Sequence, residues 1–150
     1  MNIVLHQPEI PHNTGAIGRT CLMTGSALHL IRPYGFFLDE KSLKRSGLDY
    51  WHKIDVREYD TFEDFKKNNS RGRFFFIETN GEKLYSEIEF KRDDYLIFGS
   101  ETVGLPQEIL RGQEVIRIPM TGEERSLNLS VAAGIVLYEA LRQTDFAKMI

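Results

Sequence analysis

The sequence predicts an α/β fold, a mostly parallel sheet flanked by helices. Two observations carry that expectation. Six short runs, 3–6, 27–31, 54–59, 73–78, 95–98 and 115–118, are apolar or β-rich, several of them bounded by polar residues or glycine, which is the signature of strands. Helical segments fall between many of them, and alternation of the two types calls for crossover connections and parallel pairing. At 150 residues, with no repeat, low-complexity tract or linker, residues 1–150 read as a single domain. A chain of this size buries roughly two thirds of its unfolded surface.

Taken in order, Ile3 to His6 is the first strand, and Asn13 is placed to cap a helix running through Arg19 and Cys21 to Gly25, whose position suits a C′ residue. Ala27 to Ile31 and Ile54 to Tyr59 follow as strands. Thr61 then introduces a helix with Phe62 and Phe65 on its apolar side. After the strands Arg73 to Glu78 and Tyr95 to Phe98, Pro106 opens a short helix through Leu110, and Val115 to Ile118 forms the last strand. The final helix is different in composition. Val131, Ala132, Ala133, Ile135, Val136, Leu137, Ala140 and Leu141 leave little polar surface, so more than one of its faces must be covered. Periodicity leaves open whether the chain's own domain or a second copy covers it.

Composition excludes several function classes. A formal net charge of −3 and a sequence pI of about 5.8 argue against gripping nucleic acid by bulk positive charge alone, so any such contact must be local or assembled from more than one subunit. The single cysteine, Cys21, lies in an apolar helical stretch and reads as a core residue. Neither it nor the four histidines have zinc-ligand spacing, and no metal is expected. The amino terminus lacks a basic flank or cleavage pattern and no segment reaches membrane-spanning length, from which a soluble, cytoplasmic protein without membrane contact is expected.

Three segments carry candidate chemistry. Gly99-Ser100-Glu101-Thr102-Val103-Gly104 has the two glycines of a phosphate loop, but Leu105-Pro106 stands where Lys-Ser or Lys-Thr would bind phosphate and metal. It reads equally as a plain turn or as a ligand-contacting loop at a strand end. Ile118-Pro119-Met120, followed by a polar loop and Ser126-Leu127-Asn128 at the mouth of the last helix, places backbone donors and acceptors where a small ligand fits. Asn128 is equally a helix cap. Asn13-Thr14-Gly15-Ala16-Ile17-Gly18-Arg19 is uninformative alone, since a helical arginine is usually solvated.

In this order the three segments resemble the three signature motifs of the SPOUT class of RNA methyltransferases, and most closely the small subfamily that methylates the ribose 2′-oxygen of the tRNA wobble nucleotide. The resemblance runs from Asn2 to Leu141 and includes Gly47-Leu48-Asp49-Tyr50-Trp51. It implies a C-terminal deep trefoil knot, which general topology rules would reject, and a homodimer packed through the C-terminal helix region. It implies S-adenosylmethionine as cofactor, with S-adenosylhomocysteine as product. The implied cofactor residues are Ile77, Thr79, Gly99, Gly104, Ile118, Met120 and Ser126; the implied catalytic set is Arg19, Asn13, Glu101, Asn128 and Ser126. The implied partner is tRNA, methylated at cytidine or modified uridine 34, with leucine tRNAs as the expected isoacceptors. The alternatives are the same chemistry on another RNA such as rRNA, or a silent module that binds cofactor and RNA. Val103 departs from the pattern, because relatives commonly carry a basic residue there. Arg32, Lys41, Lys44 and Arg45, near Tyr50 and Trp51, offer cations and aromatics to RNA.

Overall fold

The computed structural model describes residues 1–39, 41–42, 48–122, 126–146 and 149. Seven strands form one sheet: β1 (Asn2–His6), β2 (Ala27–Ile31), β3 (Val56–Tyr59), β4 (Phe74–Ile77), β5 (Lys83–Leu84), β6 (Tyr95–Phe98) and β7 (Val115–Arg117), in the order β3-β2-β1-β6-β4-β7-β5. Every neighbouring pair is parallel. The helices are α1 (Pro11–Thr24), α2 (Phe62–Asn68), α3 (Gln107–Leu110) and α4 (Leu129–Gln143).

The two-residue side-chain period of the strands sorts the core into two layers. Ile3 and Leu5 of β1, Leu28 and Leu30 of β2, and Leu96 and Phe98 of β6 meet Ile17 and Cys21 of α1 and Val136, Leu137 and Ala140 of α4. Their neighbours Val4, Phe76 and Ile97 point the other way, onto Phe62 and Phe65 of α2 and Ile109 of α3. Burial pushes the Cys21 thiol up to about 12, which suits an inert core residue.

Local chemistry sets the element ends. Gly25 takes a left-handed conformation at φ 63° and closes α1, and the Thr61 hydroxyl accepts from the Asp64 N–H to open α2. Several element bounds differ from expectation, β1 starting one residue early at Asn2 and β4 and β7 being trimmed to Phe74–Ile77 and Val115–Arg117. α1 begins at Pro11, with Ile10 at the cap position, so Asn13 lies inside the helix and does not cap it. A short 3-10 turn, Trp51–Lys53, delays β3 to Val56. The two-residue edge strand β5 was not anticipated. No helix among the described residues is long and apolar enough to cross a membrane.

Candidate functional site

A cavity of about 780 Å³ opens over the carboxyl ends of β4, β6 and β7, against the first turn of α4. Strand ends of a parallel sheet are the usual place for a ligand, because the loops there diverge and leave a crevice. Ile77, Thr79, Gly99, Gly104, Ile118, Met120 and Ser126 all line it, together with Asn13, Glu101 and Asn128. Lining residues thus come from all three segments singled out in the sequence.

The two glycines of the 99–104 loop serve the loop's own closure. A Cβ on Gly99 would stand 2.1 Å from the carbonyl carbon of Gly104, because the loop turns back on itself through an isolated Ser100–Gly104 bridge. Gly104 has φ +74°, and a Cβ there would meet the Glu78 carboxylate at 2.7 Å. The spacing that looks like a phosphate loop is therefore a steric requirement of a tight fold-back at the cavity wall.

Beside the cavity, a polarised hydrogen-bond relay joins elements far apart in sequence. Glu101 accepts from the backbone N–H groups of Glu9 at 2.8 Å and Ile10 at 3.1 Å, the open amino end of α1, and from Asn13 Nδ2 at 3.1 Å. Asn13 Oδ1 accepts from Asn128 Nδ2 at 2.9 Å. Asn128 Oδ1 then accepts from the N–H groups of Ser130 and Val131, so this residue is both the cap of α4 and a member of the site. A carboxylate only accepts and a cap oxygen only accepts, which fixes both amide orientations. Thr102 donates to Glu9, tying the loop to the same end of α1.

Arg19 stands apart. It lies six residues beyond Asn13, about 9 Å along the helix axis and on a different face, where it is exposed and sits over the Tyr50 ring at 5.8 Å from the centroid. It does not line the cavity of its own chain. Of the basic positions considered for RNA, Arg32 pairs with Glu58 at 2.9 Å and Asp60 at 3.0 Å and packs on Tyr34. Lys41 is exposed, and Lys44 and Arg45 lie outside the described residues. Val103 projects from the cavity rim with 79% of its surface exposed.

Several lining residues escaped the sequence reading, among them Ile10, Arg117 and Ala132, and Glu78 is the one with distinctive chemistry. Glu78 follows β4 directly, between the two positions that were named, and its carboxylate accepts from the Leu105 N–H at 2.6 Å and from the Thr79 N–H. Burial raises its pKa above the ordinary carboxylate value. The available signal was its place at the carboxyl end of a buried strand. No group of His, Cys, Asp and Glu suited to a metal ion occurs among the described residues.

Comparison with known proteins places this geometry. A tRNA (cytidine(34)-2′-O)-methyltransferase from Saccharophagus degradans is 48% identical over 149 residues, covering 97% of each chain. A solved structure described as giving insights into the 2-OH methylation of C/U34 on tRNA superposes with a TM-score of 0.90 at 47% identity, covering 96% of this chain and 95% of the other. An AdoMet-bound rRNA methyltransferase from Sinorhizobium meliloti gives a TM-score of 0.80 at 29% identity over 94% of this chain and 55% of its own. The SpoU rRNA Methylase family model matches residues 1–138, and with this extent of agreement the chain belongs to the SpoU methylase family.

Proposed function

We propose that the chain transfers the methyl group of S-adenosylmethionine to the ribose 2′-oxygen of the wobble nucleotide of tRNA, cytidine or modified uridine 34. The observation that carries this reading is the junction of a cofactor-sized cavity with the Glu101–Asn13–Asn128 relay at its edge, in a chain 48% identical to a tRNA (cytidine(34)-2′-O)-methyltransferase.

The lining fits the cofactor on its own chemistry. Ile77, Ile118 and Leu127 offer apolar walls to an adenine ring, the 99–104 backbone supplies polar edges, and the volume lies in the range of small-ligand sites. When bound, S-adenosylmethionine supplies a methyl group already activated on a sulfonium. The protein's part is then to position the ribose hydroxyl and to stabilise charge developing on its oxygen. Arg19 is the group for that task, as a donor of hydrogen bonds and positive charge; a guanidinium with a pKa above about 12 is a poor base. Proton loss passes to phosphate or water.

Because Arg19 stands off the cavity of its own chain, it reaches the reacting ribose from a second copy. Exposed Val131 and Tyr138 on α4 and Met23 on α1 support a homodimer through this region. The reading includes the trefoil knot implied by the motif resemblance, supported by likeness of fold to the family's solved members.

Nucleoside mass spectrometry of tRNA from cells with and without the gene tests the function. Loss of the 2′-O-methyl mark at nucleotide 34 in the deletion strain is expected. An unchanged tRNA profile with a lost ribosomal RNA mark would overturn the substrate assignment, and no change in either RNA would favour a silent binding module.

A further inference from the structure

The cavity holds two carboxylates in very different electrostatic settings. Glu101 is compensated by three N–H donors at the amino end of α1. Glu78 is half-buried and accepts from two backbone N–H groups, yet no Lys, Arg or His makes an ion pair with it among the described residues. Arg117 is also among the lining residues, and no ion pair joins it to Glu78. A carboxylate held on one side by Leu105 and Thr79 retains lone pairs for another partner, and Glu78 stands in the cavity lining beside the Gly104 turn. Partly desolvated anions gain most from a positive charge nearby.

We propose that Glu78 is the counter-charge to the cationic sulfur of the methyl donor, so that the cavity selects the sulfonium over the neutral thioether left after transfer. This rests on the methyl-donor reading of the cavity and adds a residue that sets cofactor preference. The substrate and product forms share the adenosine, the α-ammonium and the carboxylate; they differ by one methyl group and one positive charge. A carboxylate near the sulfur therefore assists departure of the spent cofactor by losing its partner at the moment of transfer.

Isothermal titration of three ligands into the wild-type protein and Glu78→Gln tests it: S-adenosylmethionine, S-adenosylhomocysteine, and sinefungin, which carries an ammonium in place of the sulfonium. Gln keeps the size and an oxygen for the Leu105 N–H, and thermal unfolding checks that the fold is retained. Wild-type protein should bind the two cationic ligands at least tenfold more tightly than the thioether. Glu78→Gln should lower that preference to under threefold, mainly by weakening the cationic ligands. Equal affinity of the wild type for all three would overturn the inference without needing the variant. Equal weakening of all three by Glu78→Gln would also overturn it, assigning the carboxylate to the shared ribose or ammonium. Absence of binding of any of them to folded wild-type protein would instead overturn the methyl-donor reading itself.

Discussion

At the scale of single residues, Asn128 performs two tasks that substitution can separate. Its Oδ1 caps α4 and its Nδ2 holds Asn13, which is held in turn by Glu101. Asn128→Ala removes the cap and leaves the Asn13 oxygen without this donor, so urea unfolding should show a loss of about 1–2 kcal/mol. Asn128→Asp keeps a good cap but replaces the donor with an acceptor facing the Asn13 oxygen. With the cap kept, it should lose stability only through the broken Asn13 contact, about 1 kcal/mol, while methyl transfer falls at least tenfold; wild-type transfer by Asn128→Asp would show that the relay has no part in the reaction. Arg19→Ala makes a complementary test. Arg19 is absent from the cavity lining, so calorimetry should find cofactor affinity nearly unchanged while tRNA methylation drops by orders of magnitude, and Arg19→Lys should recover little because an ammonium lacks the planar fork of donors. Near-normal turnover in Arg19→Ala with saturating tRNA would end its assignment to the ribose. Asn13 shows what sequence reasoning can and cannot reach. An Asn before an apolar periodic stretch reads as a cap, and only the fold brings it a carboxylate from 88 positions away.

At the scale of elements, β2 and β6 were legible to the residue, because runs such as Leu28-His29-Leu30 and Leu96-Ile97-Phe98 are buried on both faces and admit no other register. β5 was not legible, since two residues at a sheet edge carry no periodicity and are held by their neighbour β7. Within β2, His29 is a polar side chain with no solvent exposure, stacked on Tyr59 with its ring nitrogens within hydrogen-bond reach of the Tyr59 hydroxyl at 3.0 Å and Asn2 Oδ1 at 3.2 Å. Burial, with Arg57 nearby, lowers its pKa from 6.5 to about 4. The unfolded chain therefore binds a proton between these values that the folded chain refuses. Stability is full above about pH 6.5 and declines as pH falls toward 4, by up to roughly 3 kcal/mol from this group. His6 is shifted in the same direction by burial, whereas Glu78 and Asp94 are shifted upward and act in the opposite sense. Urea midpoints at pH 7.5, 6, 5 and 4.5 for wild type and His29→Gln isolate the contribution of this side chain. The wild-type slope should exceed that of the variant between about pH 6.5 and 4.5 and match it above, and identical slopes below pH 6.5 would remove His29 as the cause.

For the whole molecule, the question left by the sequence was what covers the last helix, and the structure divides the answer between the helix's faces. Ala133, Val136, Leu137, Ala140 and Leu141 are buried inside the chain, whereas Val131 and Tyr138 remain 50% and 46% exposed. Val136, which composition alone would nominate for an interface, is thus a core residue, and a charge there would unfold the domain before it reported on association. Val131 is the better probe. It lies in the first turn of α4, where a carboxylate is favoured by the helix dipole, so Val131→Glu should fold normally in isolation. In a dimer packed through this face the same charge would be desolvated without a partner, at a cost of several kcal/mol. Light scattering should then give a monomer with an unchanged circular dichroism spectrum. One chain supplies the lining residues named above, so donor binding should weaken far less than methyl transfer if, as proposed, the reaction takes Arg19 and tRNA-facing surface from the second copy. The net charge of −3 makes that joint surface more necessary, since one subunit has little positive potential with which to hold an anticodon arm. A folded Val131→Glu monomer that methylates tRNA at the wild-type rate would show each chain to be complete by itself, and Arg19 would then have to reach the ribose within its own subunit.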